Sequence, residues 1–263
     1  MSESPSRADA KISHADAATS GAAGPQAVGT PQELRPIRVK ICGVTNLNDA
    51  EMAVELGAWA LGMIFFAGSP RSCSLAEAAQ ITQALRRRVE LCGVFVNASL
   101  EEVARTSEEL GLSLLQLHGD EGPSFCAEAA RRSGARVIKA AQVSGRGDVR
   151  DLERFHVDFH LLDAHARTPG RGNLRGGTGE TFNWTLLSER RSKVPLILSG
   201  GLKAENVADA ITVARPYAVD TASGTEAAPG RKDARKLRAF FDVVGRVGEA
   251  AFDGVPAIGE DPA

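Results

Sequence analysis

The sequence lacks a long apolar run and a strong net charge, and each absence excludes a class of protein. No run of about 18 apolar residues occurs, so we expect no segment to span a bilayer. The formal net charge is −2 at pH 7, which argues against non-specific binding to nucleic acid or to a membrane surface. A chain of 263 residues with ordinary apolar content can form one large domain or two small ones.

Cysteine is also scarce, and its spacing argues against a metal site. The four cysteines have no C-x-x-C spacing and no nearby pair of histidines, so zinc binding is not expected. An even number of cysteines is compatible with disulfides, but a long, core-rich chain favours free thiols and a cytoplasmic location. The cysteines are Cys42, Cys73, Cys92 and Cys126.

Composition divides the chain into three segments. Residues 1–35 are rich in Ala, Ser, Gly and Pro and lack periodicity, which predicts a disordered N-terminal extension. This extension has no apolar core typical of a secretory signal, and its acidic residues fit a transit peptide poorly. Residues 36–250 carry the pattern of a folded domain, and residues 251–263 are predicted to form a short C-terminal tail.

Between these ends, short apolar runs alternate with amphipathic stretches at a spacing typical of βα units. Strands are predicted to begin near Ile37, Ala60, Leu91, Ser113, Arg136, Asp158, Pro195 and Pro216. Helical patterns include Leu75 to Arg88, Leu100 to Leu110, Glu205 to Val213 and Asp233 to Val244, with a weaker one at Val149 to Arg154. Eight such units predict a single α/β domain, a (β/α)8 TIM barrel. An open doubly wound sheet is the alternative, but no G-x-G-x-x-G follows the first strand.

The first predicted strand ends in a thiol, Cys42, and a glycine follows at once. Alternation along the strand places Lys40 and Cys42 on the interior face, and Asp220 ends the eighth strand, which neighbours the first in a closed barrel. We therefore expect a Lys40–Asp220 contact, with the ammonium favouring the Cys42 thiolate as a base near neutral pH. A small buried cysteine that only fills space is the alternative.

Two other strand ends and one loop carry polar groups suited to catalysis. Asp163 follows the apolar run Phe159 to Leu162, and a partly desolvated carboxyl at a barrel mouth suits a general acid, although a loop aspartate is commoner. Arg71 follows Pro70 in the loop after the second strand, where it either binds a carboxylate or is simply solvated. His118 ends the fourth strand and either lines the pocket or is structural.

Two glycine-rich turns follow the seventh and eighth strands. Gly200 and Gly201 in the first, and Ser223 and Gly224 in the second, offer unhindered backbone N–H groups close to the starts of helices. Barrel enzymes often bind phosphate at this place, so we expect a phosphate site there. Glycines that only form turns are the alternative.

Several motifs follow one another in a fixed order over about residues 36 to 246. They are Lys40-Ile41-Cys42-Gly43, Ser69-Pro70-Arg71, Gly93-Val94-Phe95-Val96-Asn97, Leu115-Gln116-Leu117-His118-Gly119, Leu161-Leu162-Asp163, Gly176-Gly177-Thr178-Gly179, Ser199-Gly200-Gly201-Leu202, Asp220, Ser223-Gly224 with Glu226, Pro229-Gly230 and Lys232-Asp233. Each motif alone is modest, but the ordered set resembles the phosphoribosylanthranilate isomerase family.

The resemblance implies a metal-free, cofactor-free Amadori rearrangement of N-(5-phosphoribosyl)anthranilate in tryptophan biosynthesis. It implies Cys42 as the general base and Asp163 as the general acid, and it matches Arg71 to the group that binds the substrate carboxylate. The phosphate would bind at the two glycine-rich turns, and Lys40, His118 and Asp220 would line the pocket. The implied partner is a small phosphorylated substrate, and such a barrel is compatible with a monomer or a homodimer.

The segment 164–175 is longer than is usual in the family, and it is predicted to be a mobile loop near the pocket and a candidate lid.

Three rival interpretations stay open. The histidine-pathway isomerase is expected to have an aspartate where this chain has Cys42. A metal-dependent sugar-phosphate epimerase needs paired His and Asp ligands that the sequence does not supply. A non-catalytic phosphate-binding barrel would have no reason to keep both Cys42 and Asp163.

Overall fold

The computed structural model describes residues 37–143, 145–164 and 190–253 of the protein. The chain separates into two units, residues 1–33 and 34–263, and all of the described residues belong to the second. Three predicted regions lie wholly or largely outside the described residues: the extension 1–35, the long loop 164–175 with the glycines that follow it, and the tail 251–263.

Eight parallel strands form the framework of the fold. They are β1 Arg38–Cys42, β2 Ala60–Ile64, β3 Glu90–Phe95, β4 Leu114–Leu117, β5 Arg136–Val143, β6 Phe159–Ala164, β7 Leu196–Ser199 and β8 Ala218–Thr221. They pair in chain order and close into a barrel where β1 meets β8, with Lys40 opposite Asp220. This closure confirms the predicted TIM barrel and excludes the open-sheet alternative, which would leave two unpaired edges.

Helices surround the barrel, and their ends follow local capping signals. Those in the described residues are α1 Leu47–Glu55, α2 Leu75–Leu85, α3 Leu100–Leu110, α4 Pro123–Ser133, α5 Arg146–Leu152, α6 Val207–Ala214 and α7 Ala234–Asp253. Helix α3 has the predicted bounds because Ser99 accepts a hydrogen bond from the backbone N–H of Glu102, and Gly111 ends the helix at a φ of 61°.

Several helices differ from their predicted bounds, by two or three residues in α2 and α6, and for α5 and α7 the reason is identifiable. Helix α5 begins at Arg146 rather than near Val149, because the Asp148 carboxylate accepts the backbone N–H of Gly145 at 3.0 Å and caps the first turn. Helix α7 continues to Asp253, past the predicted end at Val244. Sequence periodicity weakens there because glycines interrupt the apolar stripe.

A short hairpin after β8 was not predicted. The chain forms a 3-10 helix, Ser223–Thr225, and then two antiparallel strands, β9 Glu226–Ala228 and β10 Arg231–Lys232. Strands of two or three residues are too short to show an alternating pattern, so no sequence signal marked them. No helix among the described residues is both long enough and apolar enough to cross a membrane.

Buried apolar side chains form one layer inside the barrel and another between the barrel and its helices. Cys42 belongs to the inner cluster with Cys92 and Val94, whereas Val39 and Ile41 belong to the outer one. This arrangement confirms the alternation predicted for β1. Interior side chains at the carboxyl ends of the strands therefore face the barrel mouth, where barrel enzymes place their active sites.

Candidate active site

A cavity at the carboxyl end of the barrel brings together most of the predicted site residues. Six lining residues carry the chemistry, namely Cys42, Arg71, Gln116, His118, Asp163 and Ser199. Gly200, Gly201 and Ser223 form another part of its wall. A larger depression of about 340 Å³ lies beside it, but that depression contains neither Cys42 nor Asp163, so we assign the chemistry to the smaller cavity.

The space for the thiol depends on a glycine in the next strand. Cys42 ends β1 and pairs in register with Gly62 of β2. A Cβ atom built on Gly62 would lie 2.8 Å from Cys42 Sγ and 3.2 Å from Lys40 Nζ. Only glycine therefore leaves room there for the thiol and the ammonium side by side.

The predicted contact between Lys40 and Asp220 is confirmed. Lys40 Nζ lies 2.7 Å from Asp220 Oδ1, and the side-chain exposures are 0% and 5%. Ser199 donates from Oγ to the other carboxylate oxygen of Asp220 at 2.9 Å. Lys40 is not itself among the residues that line the cavity, because this network holds it fully buried below the cavity floor.

The Lys40 ammonium favours the Cys42 thiolate as expected, but it does not lower the net pKa of the thiol. Burial raises the pKa of the Cys42 thiol above its ordinary value, and although the ammonium groups of Lys40 and Lys232 act in the opposite sense, they do not offset it. The carboxylate of Asp220 further disfavours the thiolate. Desolvation inside the apolar barrel therefore exceeds the attraction of the cations, and the resting group at neutral pH is the thiol.

Asp163 lies at the end of β6 beside His118. The two side chains approach to 3.5 Å between Asp163 Oδ2 and His118 Nε2, and Asp163 is only 4% exposed. The amide nitrogen of Gln116 lies 3.3 Å from the other ring nitrogen, Nδ1. When the amide donates to Nδ1, the ring proton resides on Nε2 and faces the carboxylate of Asp163.

Arg71 is fixed by a partner that the sequence interpretation did not assign. Its Nε donates to both carboxylate oxygens of Glu226, at 2.9 Å and 3.0 Å, and its Nη2 donates to Oε2 at 2.8 Å. Nη1 makes no hydrogen bond to the described part of the chain, and Arg71 lines the cavity. The guanidinium is thus held in one orientation with a donor left for an anionic ligand.

The two glycine-rich turns meet at the cavity. Gly200 and Gly201 have φ values of 97° and 64°, which other residues adopt only with strain. Gly224 does not line the cavity but joins the turns, because a Cβ built on it would lie 1.9 Å from the carbonyl oxygen of Leu202. Ser223 begins the 3-10 helix beside it, and together the turns offer several backbone N–H groups to an anion.

Sequence reasoning gave no role to several polar residues of this region. Ser199 and Gln116 occupy positions in β7 and β4 near the barrel mouth, and that placement was a usable signal. Glu226 and Lys232 were named only within the family motifs. Their positions depend on the hairpin, which brings them across to β1 and leaves no periodic pattern in the sequence.

Comparison with known proteins identifies the family of this chain. A family model described as N-(5'phosphoribosyl)anthranilate (PRA) isomerase matches residues 39–243. N-(5'-phosphoribosyl)anthranilate isomerase of Pelobacter propionicus is 44% identical over 207 residues, which cover 79% of this chain and 95% of that protein.

Solved structures agree with this comparison. The crystal structure of phosphoribosyl anthranilate isomerase from Thermus thermophilus superposes with a TM-score of 0.71 at 37% identity, over 80% of this chain and 100% of that one. A phosphoribosyl anthranilate isomerase in complex with reduced 1-(o-carboxyphenylamino)-1-deoxyribulose 5-phosphate gives a TM-score of 0.67 at 39% identity, over 79% and 98% of the two chains.

Proposed function

The chain belongs to the N-(5'-phosphoribosyl)anthranilate isomerase family, and from this premise we propose a role for each group in its cavity. The protein is an isomerase of tryptophan biosynthesis that converts N-(5-phosphoribosyl)anthranilate to 1-(2-carboxyphenylamino)-1-deoxyribulose 5-phosphate by acid–base chemistry. One observation carries the proposed roles: a thiol, a carboxyl group, an oriented guanidinium and two glycine-rich turns line the same small cavity.

Asp163 acts as the general acid. It protonates the ring oxygen of the ribose, the C1–O bond breaks, and the anthranilate nitrogen becomes a positively charged iminium. The apolar strand that carries Asp163 restricts its solvation, and the carboxyl group that donates the proton lies against His118. Water is thereby kept from competing for the proton that must reach the ring oxygen.

Cys42 acts as the general base. The iminium withdraws electrons from C2, so the C2 proton becomes acidic enough for a thiolate to remove it. The thiol is protonated at rest, so it first releases its proton to water at the cavity. The cation formed next to it adds to the effect of Lys40 and favours this ionisation, and the resulting thiolate takes the C2 proton. Removal of the proton gives an enolamine, and tautomerisation of the enolamine gives the ketone product.

Binding groups at two sides of the cavity hold the reacting carbons between acid and base. Arg71 binds the anthranilate carboxylate, and the turns at Gly200, Gly201, Ser223 and Gly224 bind the phosphate. Fixing both ends of the substrate supplies the orientation on which proton transfer at C1 and C2 depends. All of these groups come from one chain, so the scheme operates in a monomer or a homodimer alike. It needs no cofactor, and the substrate is a metabolite expected in the cytoplasm.

Turnover of the anthranilate substrate tests the proposal. Purified protein mixed with N-(5-phosphoribosyl)anthranilate is expected to abolish the fluorescence of the substrate as product forms. The Arg71→Lys variant keeps the charge but loses the bidentate geometry toward Glu226, so its KM is expected to rise by about tenfold or more. Folded wild-type protein that binds the substrate without turnover would instead support a non-catalytic phosphate-binding barrel.

A further inference from the structure

The hairpin β9–β10 folds back onto the end of β1. Thr45, just after β1, donates from Oγ1 to the carbonyl of Gly230 at 2.6 Å. The backbone N–H of Lys232 donates to the Asp49 carboxylate at 2.8 Å. Gly230 has a φ of 75°, so the turn of the hairpin depends on a glycine. These anchors place Lys232 directly behind the strand that carries Cys42.

The ammonium of Lys232 binds three oxygen atoms from three parts of the site. It lies 2.7 Å from the carbonyl oxygen of Cys42, 3.1 Å from that of Ala222 and 3.2 Å from Glu226 Oε1. Its side chain is 0% exposed. A lysine has three N–H donors, and here each has an acceptor, so the cation connects the base strand, the second glycine-rich turn and Glu226.

Glu226 extends this connection to the carboxylate-binding side of the cavity. One of its oxygens faces both Lys232 and Arg71, and the other accepts two hydrogen bonds from Arg71. A continuous row of contacts therefore joins Arg71, Glu226, Lys232 and the backbone of Cys42. Such a buried row is costly unless its charges are compensated, and here the Arg71 and Lys232 cations share the single carboxylate of Glu226.

Lys232 is also the second of two cations that face the Cys42 thiol. The first is Lys40, and the opposing charges nearby are the carboxylates of Asp220, which pairs with Lys40, and of Glu226, which pairs with Lys232. The thiol of Cys92, near Lys40, is a further titratable group of the interior layer. Burial lowers the pKa of Lys232, and the Glu226 carboxylate opposes that shift.

We propose that Lys232 is a positioning residue of the isomerase, which fixes the backbone of Cys42 and supplies the charge that allows its thiol to ionise. This inference rests on the proposed role of Cys42 as the base. Lys232 touches neither the cavity nor the reacting atoms, so it acts through Cys42. It also holds the carbonyl of Ala222, and thus aligns the base with the turn that binds the phosphate.

The chain provides a matched control in another buried lysine–carboxylate pair. Lys139 Nζ lies 2.8 Å from Glu121 Oε2, with side-chain exposures of 5% and 3%. The neighbours of Lys139 in β5, Val137 and Val143, belong to the cluster outside the barrel, whereas Ile138 belongs to the interior one. Lys139→Met therefore breaks a comparable ion pair in the outer layer at β5, away from Cys42.

The effect of Lys232 on the ionisation of Cys42 can be measured directly. Cys42 is alkylated with iodoacetamide at a series of pH values, and the extent of reaction is read by peptide mass spectrometry. In Lys232→Met the Cys42 reaction at pH 7.5 is expected to slow by about tenfold, because the thiolate loses a facing cation. The kcat should fall by a similar factor at pH 7, recover partly at pH 9, and change more than KM. Lys139→Met should lose comparable stability and leave the Cys42 alkylation profile unchanged.

Several results would overturn the inference. Folded Lys232→Met with wild-type Cys42 alkylation would do so, as would a loss of kcat that is the same at pH 7 and pH 9 and equal to that of Lys139→Met. If Lys232→Met does not fold, Lys232→Gln can replace it, because this variant keeps a donor for the carbonyl oxygens but has no charge. The same changes in Cys42 alkylation and kcat are expected for it. If the wild type lacks isomerase activity, the proposed function fails, while the alkylation experiment still decides the effect of Lys232 on the thiol.

Discussion

The two ends of the barrel are built from opposite kinds of side chain. At the amino ends of the strands, Trp59, Phe159 and Tyr217 form an aromatic cluster with ring centroids 5.3 Å to 5.7 Å apart. Arg38 lies over the Tyr217 ring at 4.4 Å. At the carboxyl ends, the interior holds charged groups with almost no exposure, of which Lys40 is the extreme case at 0%.

This difference shows where stability and function reside. Aromatic rings that stack in edge-to-face geometry contribute both burial and specific contacts, so the amino end stabilises the barrel. Buried ions cost free energy even when paired, so the carboxyl end is less favourable than an apolar one would be. We infer that the carboxyl end keeps its ions because the chemistry requires them.

The largest effect is expected from removing the thiol at the catalytic end. Cys42→Ala should lower kcat by about 10²–10⁴-fold, the usual contribution of a general base. The matched control is Cys92→Ala, since Cys92 is also buried in the same interior cluster and also pairs in register with Gly62. Steady-state kinetics should show near-normal kcat for Cys92→Ala; equal losses in both variants would contradict the assignment.

Truncation of an aromatic ring tests whether the amino end of the barrel serves stability rather than catalysis. Phe159→Ala should lower the free energy of unfolding by about 3–5 kcal/mol, because it leaves a cavity between Trp59 and Tyr217. Urea denaturation measures this loss. The kcat/KM of the protein that stays folded should remain within about twofold of wild type, since a stabilising end does not touch substrate. A large kinetic effect would show that the two ends are not separate in function.

Asp220 lines the cavity and pairs with the buried Lys40, so Asp220→Asn is expected to cost about 3 kcal/mol of stability at neutral pH. Burial by itself lowers the pKa of Lys40, but the Asp220 carboxylate reverses this, and the net shift is upward. A raised lysine pKa contributes stability that is complete below the ordinary value of about 10.4 and is lost as pH rises through the folded-state pKa.

The stability difference between wild type and Asp220→Asn should therefore shrink as pH increases above about 10.4. Denaturation curves recorded from neutral to alkaline pH measure this trend. A difference that stays constant over that range would mean that Asp220 does not act through the charge of Lys40.

The smallest effect is expected at the rim of the amino end. Arg136 and Glu90 form an ion pair at 2.7 Å, but their side chains are 41% and 32% exposed. Exposed ion pairs contribute about 0–1 kcal/mol to the free energy of unfolding, and salt weakens them. Glu90→Gln should therefore change the unfolding midpoint only slightly at low ionic strength and not at all in 1 M salt. A loss comparable to that of Asp220→Asn would remove the distinction between exposed and buried pairs.

The sequence by itself determined the barrel and most of its site. Eight apolar runs that alternate with amphipathic stretches at regular spacing are best buried in a closed parallel sheet surrounded by helices. Strand alternation was enough to place Cys42 and Lys40 inside and to pair Lys40 with Asp220, since a lysine in that interior requires a partner. These inferences depend on the alternation of residues along each strand and on the order of the strands, and both can be read directly from the sequence.

Only the tertiary structure decided the ionisation of Cys42 and the partners of Arg71 and Lys232. The pKa of a thiol depends on the balance of desolvation and facing charges, and both are set by residues remote in sequence. Arg71 and Glu226 are separated by 155 positions, and Lys232 and Cys42 by 190. Contacts of this kind arise when barrel closure brings the last loop onto the first strand, so no local pattern predicts them.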